Sequence, residues 1–325
     1  MPRRPADEAE GWRVGPEAEG SRLDVWLSGK LETSRSRVQR WIRDGRVSID
    51  GEVATRASQP LQPGLHVHCD PAPQPAAEPL VPEPGALAVV WEDEHLLAVD
   101  KPAGMAMHPG AGRSEGTLAH RLLHHHPDIR DVGHPRRPGI VHRLDLGTSG
   151  VVVVAKTQAA YLALAEAFAE RRTRKQYVAI VYGRPQPESG TLRGRIGRDP
   201  ADRKRMKVAA GGRAARTDYR VAAEVPGVSR LDLEIHTGRT HQIRVHLKSL
   251  GHPVVGDPTY GEARWKGFSG PARGLLRAFP RPALHAARLT VPHPASGESV
   301  SFEAALPRDM EELWSALRAA AGAGG

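Results

Sequence analysis

Cysteine is all but missing from this 325-residue chain: Cys69 stands alone, so there is no disulfide framework and no cysteine-built zinc site. No apolar run reaches the roughly eighteen residues that a membrane helix needs. Residues 1–20 are polar and hold no apolar core of signal-peptide length, so they are expected to be disordered and the protein cytoplasmic, with no membrane contact. There is no internal repeat and no low-complexity tract beyond one linker and an Ala/Gly tail. Acidic residues are in deficit, 37 against 46 Lys and Arg, which leaves a formal charge of +9. That balance favours an anionic partner, with nucleic acid first among candidates. A monomer is expected.

The length suits a large domain plus a small one. From Ser21, apolar residues at Leu23, Trp26, Leu27 and Leu31 recur at helical spacing. A second helix is expected to open at Ser34 or Ser36, with Val38, Trp41 and Ile42 on its apolar side and Gly45 as its stop. Arg37, Arg40 and Arg43 recur every third residue and so share a face. Val47-Ser48-Ile49 alternates as a strand into Asp50-Gly51, a type I′ hairpin signal. Residues 71–85 are rich in Pro, Ala and Glu and read as a linker, dividing a domain over 21–70 from one over 86–320.

The larger domain is organised around residues 136–150, ending His142-Arg143-Leu144-Asp145-Leu146-Gly147-Thr148-Ser149-Gly150. Four valines, Val151 to Val154, follow as a buried strand, because β-branched side chains suit a pleated surface covered on both faces. Asp145 then sits on a loop at the mouth of that strand, with His142 and Arg143 as neighbouring cations. Gly150 to Thr157 is a near miss to a phosphate-cradling glycine loop, but four valines in its middle build a strand instead. Thr157 is expected to cap a helix running to Arg172 that buries Leu162, Leu164, Ala165 and Phe168. His124, His125 and His126 are adjacent, so on a helix they point apart, and no metal site is expected. The basic stretch from Arg193 to Lys207, which includes Arg203, reads as a hydrophilic rim that orders on meeting phosphate.

The string around Asp145 is similar to the signature H-R-L-D-x-x-T-S-G of the large-subunit rRNA pseudouridine synthases, the RluA/RluD-type family, and most similar to the RluD type. Lys175-Gln176-Tyr177-Val178-Ala179-Ile180-Val181 resembles that family's K-x-Y-x-A-x-V motif, and residues 237–247, 256–261 and 284–289 complete its set. Ser21 to Asp24, Ser34 to Arg37 and Gly45 to Gly51 resemble the RNA-binding module named after ribosomal protein S-four. The resemblance implies an α+β catalytic domain with a largely antiparallel mixed sheet, preceded by a small α/β RNA-binding domain. It implies isomerisation of uridine to pseudouridine in ribosomal RNA, with transfer RNA as the alternative, and no cofactor. Asp145 becomes the nucleophile, Tyr177 the proton acceptor against the uracil, and Arg244 the partner of the aspartate. His142, Arg143, Thr148 and Arg239 become substrate contacts, and Arg37, Arg40 and Arg43 contacts of the small domain. The loop from Lys101 to Pro109 becomes a wall of the cleft. Whether Asp145 attacks the sugar, attacks the base or removes a sugar proton stays open. A binding protein without catalysis is countered by the joint presence of Asp145, Tyr177 and Arg244; a Ser149/His142/Asp145 hydrolase lacks a Gly-x-Ser-x-Gly elbow.

Overall fold

The structure, a computed structural model, describes residues 10–31, 33, 35–71, 80–110, 112–202 and 204–322. Ser34, Arg203 and residues 1–9 lie outside them. The chain divides into two units, Met1–Glu78 and Pro79–Gly325.

In the first unit, β1 (Glu10–Arg13) precedes α1 (Leu23–Lys30), α2 (Arg35–Arg43), β2 (Val47–Ile49), β3 (Glu52–Val53) and β4 (His66–Cys69). The expectation of a disordered residue 1–20 segment is corrected for its described part. Residues 10–13 pair with β4, and Val14 and Ala18 behind them are buried. The hairpin turn is as its residues demand, with positive φ at Asp50 (49°) and Gly51 (86°). Leu23, Leu27, Val38, Trp41 and Val67 form the core, and Asp24 is buried beside them. Arg40 and Arg43 are exposed on α2, whereas the Arg37 guanidinium lies over the Trp41 ring, 4.9 Å from its centre.

The second unit begins earlier than the linker boundary suggests. Leu80 is buried and its carbonyl accepts from Arg130, while Glu83 accepts from the Gly116 amide. Its elements in order are β5 (Val89–Glu92), β6 (Leu96–Lys101), α3 (Leu118–His125), β7 (Gly133–His134), β8 (Arg137–Pro138), β9 (Ser149–Ala155), α4 (Gln158–Ala169) and β10 (Arg174–Tyr182). Then come β11 (Ser189–Arg198), β12 (Met206–Val208), β13 (Arg213–Val225), β14 (Val228–Ile235), α5 (Gln242–Ser249), α6 (Gly270–Ala278), β15 (Leu284–Pro292), β16 (Ser299–Glu303) and α7 (Arg308–Gly322).

Ten strands form a single sheet in the order β12-β11-β13-β14-β10-β15-β9-β6-β5, with β16 also on β15. Among the described residues β9 and β15 are its parallel pair and the other neighbours are antiparallel, the mixed α+β sheet that was expected. All seven residues of β9 are buried, which is why it tolerates so apolar a run. At the parallel join Gly150 has φ +117°, and a Cβ there would stand 2.2 Å from the Ala286 carbonyl oxygen.

Thr157 caps α4 by accepting from the Ala160 amide. The helix is shorter than expected and turns differently: Ala160, Leu164 and Ala167 are buried, while Leu162 is 60% exposed. The basic stretch is also corrected. Its two ends are already strand, because Arg193 to Ile196 of β11 pair with Arg213 to Arg216 of β13, and Ile196 to Arg198 pair with Met206 to Val208 of β12. Among the described residues no helix is long and apolar enough to cross a membrane.

Candidate active site

Asp145 sits four residues before β9, in a turn closed by the Thr148 amide on the Asp145 carbonyl (3.1 Å). The rigid strand fixes one end of this turn. The Gly104 amide ties its other side down by donating to the Leu146 carbonyl (2.8 Å). The loop from Lys101 to Pro109 therefore braces the Asp145 turn from behind instead of lining the cavity in front of it.

Opposite stands α5. His241, in the left-handed region (φ 56°), turns the chain into the helix and puts Arg244 in its first turn. Arg244 is buried, and its guanidinium forks onto Asp257, with Nε to Oδ2 at 2.7 Å and Nη2 to Oδ1 at 2.9 Å. Asp257 also accepts from the amides of Thr259 and Tyr260, so the fork cannot rotate. The remaining nitrogen, Nη1, reaches Asp145 Oδ2 at 3.2 Å. Burial disfavours the Arg244 charge, but the Asp257 hydrogen bonds and the two carboxylates more than offset that and raise its pKa.

Tyr177 enters the same cavity from β10. The pairing of β10 with β15 slips by one residue between Gln176 and Tyr177, a bulge at the point where the side chain meets the site. Burial, and after it the negative charge of Asp145, hold the phenol pKa far above its ordinary value, so the resting hydroxyl keeps its proton.

Of the expected substrate contacts, Arg143, Thr148 and Arg239 line the cavity with Asp145, Tyr177 and Arg244. His142 does not, and its reading as a cation is corrected. Its ring stacks on Phe168 with centroids 4.7 Å apart, and its Nε2 accepts from the Val153 amide (2.9 Å). That bond requires a lone pair, and burial pushes the imidazole down to about 3, so His142 is a neutral brace.

Two groups went unassigned in the sequence. The Met206 amide donates to the Tyr260 hydroxyl (2.8 Å), whose proton then turns to His241 Nδ1 (2.9 Å). The neutral imidazole carries its own proton on Nε2, 4.0 Å from Asp145 Oδ2. Burial lowers the His241 pKa, which favours the neutral ring. Lys101 is buried behind the turn, donating to the carbonyls of Pro102 and Met105. Burial pushes its ammonium down to about 8, against the pull of Asp145. A lone His inside a helix-opening string and a Lys before Pro carry no local signal of either role.

Among the described residues no cluster of His, Cys, Asp and Glu could hold a metal ion. His125 instead contacts the Gly85 carbonyl (2.8 Å) and His126 faces Glu92 (3.7 Å).

A family model for RNA pseudouridylate synthase matches residues 95–249, and one for the S4 domain matches residues 21–67. A Chloroflexus aurantiacus protein described as an uncharacterized RNA pseudouridine synthase is 46% identical over 299 residues, 92% of this chain and 90% of that one. The chain belongs to the RNA pseudouridine synthase family. The synthase is also 42% identical over 318 residues to ribosomal large subunit pseudouridine synthase D of Xanthomonas campestris, covering 97% of this chain and 94% of that one. Among solved structures it is similar to human RNA pseudouridylate synthase domain containing 4, with a TM-score of 0.55 and 26% identity over 71% of this chain and 93% of that one. The synthase is therefore an isomerase: it breaks an N-glycosidic bond and remakes the link to the same base through carbon.

Proposed function

We propose that this synthase, acting as a monomer in the cytoplasm, converts uridine to pseudouridine in large-subunit ribosomal RNA. The full-length similarity to proteins named large subunit pseudouridine synthase D supports that substrate. In this reading residues 21–70 grip RNA by shape and phosphate, with Arg37, Arg40 and Arg43 as contacts, and residues 86–320 carry the chemistry.

The observation that carries the mechanism is the asymmetry of the Asp145 carboxylate: Oδ2 is held by Arg244, and Asp145 opens onto the cavity. The target base must leave the helical stack to enter it. Arg143, Thr148 and Arg239 contact the extruded nucleotide, and Arg244 aims the carboxylate without neutralising it, since its own charge is shared with Asp257. Attack on the sugar, attack on the ring and removal of a sugar proton all consume the Asp145 negative charge. Its loss removes one of the two causes that hold the Tyr177 phenol neutral. Tyr177 thus acts late and as a relay: as the base is reattached through carbon, its hydroxyl takes the proton released from that carbon and gives its own to the ring nitrogen freed from the sugar, so the phenol ends neutral, as it began.

The test is pseudouridine mapping of large-subunit rRNA and total tRNA after incubation with the purified enzyme and in a deletion strain. New pseudouridine in the rRNA, lost in the deletion, is expected; modification of tRNA alone would overturn the substrate.

A further inference from the structure

Two of the grooves on the second unit, both lined by arginine, differ in how that charge is met. In one, of about 570 Å³, Arg174 pairs with Glu234, Arg220 with Asp232 and Arg288 with Glu303. That groove is a neutralised, solvated surface. The other, of about 690 Å³, is lined by Arg171, Arg193, Arg195 and Arg216 with His236. Only Arg216 and His236 are met there, both by Asp218 at 2.8 and 2.6 Å. Arg171, Arg193 and Arg195 have no carboxylate within 4.0 Å among the described residues, and neither do the neighbouring Arg213 and Arg239.

These five cations come from separate parts of the chain: the end of α4, β11, the start of β13 and the loop before α5. Arg193 and Arg195 stand two apart on β11 and so share a face, opposite Arg216 and Ala214. Arg239 leans onto the same place, its Nε donating to the Ala214 carbonyl (3.2 Å). Burial lowers the Arg239 pKa, and the charges of Arg213 and Arg171 lower it further, so the cluster repels itself. A fold that gathers like charges and withholds carboxylates from them leaves the compensation to something bound.

The groove is continuous with the active site. Ile235 and Gly238 line the Asp145 cavity, while His236 and Thr237 between them line the groove. Arg239 belongs to the cavity wall and to the cation cluster alike. A uridine in the cavity is still joined to its neighbours through phosphodiesters, so the strand must leave the cavity mouth along some path.

We propose that this groove is the track for the RNA strand on one side of the target uridine, with Arg171, Arg193, Arg195, Arg213 and Arg239 receiving its phosphates. The proposal rests on the reading that the substrate is RNA. It adds a second set of phosphate contacts, built into the catalytic unit itself, to those of the small unit. It also divides the basic stretch of the sequence by job: Arg193 and Arg195 serve the track, while Arg205 packs on the Tyr260 ring and Lys207 pairs with Asp199.

The experiment measures RNA affinity against salt concentration for the full-length protein on an rRNA fragment extending to both sides of the target uridine. Each phosphate contact on a single strand contributes about −0.7 to the slope of log affinity against log salt. Arg171→Gln, Arg193→Gln and Arg213→Gln together are expected to flatten the slope by about two. The corresponding Arg→Lys set should restore most of it, and turnover at saturating RNA should stay within about two-fold of wild type. Shortening the RNA on one side of the uridine should flatten the wild-type slope at least as much as the triple substitution does; shortening the other side should not. Arg220→Gln, in the neutralised groove, should leave the slope unchanged. The track is overturned if the triple variant keeps the wild-type slope, if Arg220→Gln flattens it as much as a track substitution, or if both truncations act alike. Pseudouridine formation by wild type on the same RNA is scored separately. Its failure sinks the substrate reading, whereas the slopes decide the track.

Discussion

Each unit holds an aspartate against arginine, and the two are set for opposite work. Asp24, in the small unit, has a side chain with no exposed surface and accepts from Arg22, Arg35 and Gln39, the last two at 2.8 and 2.6 Å. Asp145, in the catalytic unit, receives its hydrogen bond from Arg244 at 3.2 Å and keeps about a fifth of its side chain open to the cavity. A carboxylate that several donors hold out of solvent is a structural rivet, because any reaction would have to break several charge-assisted bonds first. One that is aimed by a single donor and otherwise unengaged can form a bond to something else. Asp257 extends the contrast within the site: on the same arginine as Asp145, it is saturated by two guanidinium nitrogens and two amides. Arg244 is thus anchored by an inert acid in order to orient a reactive one.

The largest test of this contrast is Asp145→Asn. The amide keeps the size and leaves Arg244 on Asp257, so RNA affinity should stay within a few-fold while turnover falls by about 10⁴-fold or more. Appreciable pseudouridine from the folded variant would put the reactive group elsewhere.

Tyr177→Phe comes next. It keeps the ring against the base and removes only the hydroxyl, and a lost proton acceptor costs about 10²-fold in turnover. The variant should bind RNA normally and stall after Asp145 has acted, which a fluorinated uracil substrate would expose by trapping. Turnover equal to wild type would reduce the tyrosine to a stacking surface.

The smallest effect on chemistry, and a measurable one on folding, belongs to Asp24→Asn. Its NH₂ group would face guanidinium donors, costing the small unit about 1–3 kcal/mol. Arg22 and Arg35 are half exposed and can return to water, which limits the loss. In wild type, burial disfavours the Asp24 charge, but hydrogen bonds from Arg22, Gln39 and Arg35 outweigh it and hold the carboxyl well below its ordinary 3.8. A depressed native pKa means the stabilisation is complete above that ordinary value and drains away as pH falls below it. Urea melts of the small unit should therefore weaken below about pH 4 in wild type and much less in the variant. Turnover on a short stem-loop at saturation should not change. Equal acid sensitivity in both proteins would show that Asp24 carries no such charge.

The parts of this arrangement that a single local pattern encodes were readable without coordinates. The valine run of β9, the Asp50-Gly51 turn and the Thr157 cap each depend on neighbours in sequence. Asp145, Tyr177 and Arg244 were readable through their strings, and the structure brings all three to one cavity. What stayed hidden was set by partners far away along the chain. His142 looks like a cation until the Val153 amide claims its lone pair. Arg244 looks free to serve Asp145 alone until Asp257, across a turn, takes its fork. The strand at residues 10–13 is short and mostly polar, and it exists because β4 offers an open edge. Leu162 fits a helical stripe by spacing, but the face that α4 turns to the sheet is set by Ala160, Leu164 and Ala167.

Gly150 makes a last point about what an unbiased mutational survey of this gene would report. Its backbone conformation and its closeness to the Ala286 carbonyl leave no room for a side chain at the parallel join of β9 and β15. In a growth or activity selection the position would tolerate no replacement, scoring beside Asp145 although it touches no substrate. Abundance and activity scored in parallel would separate them: substitutions at 150 deplete the protein itself, and those at 145 leave a full complement of inert enzyme.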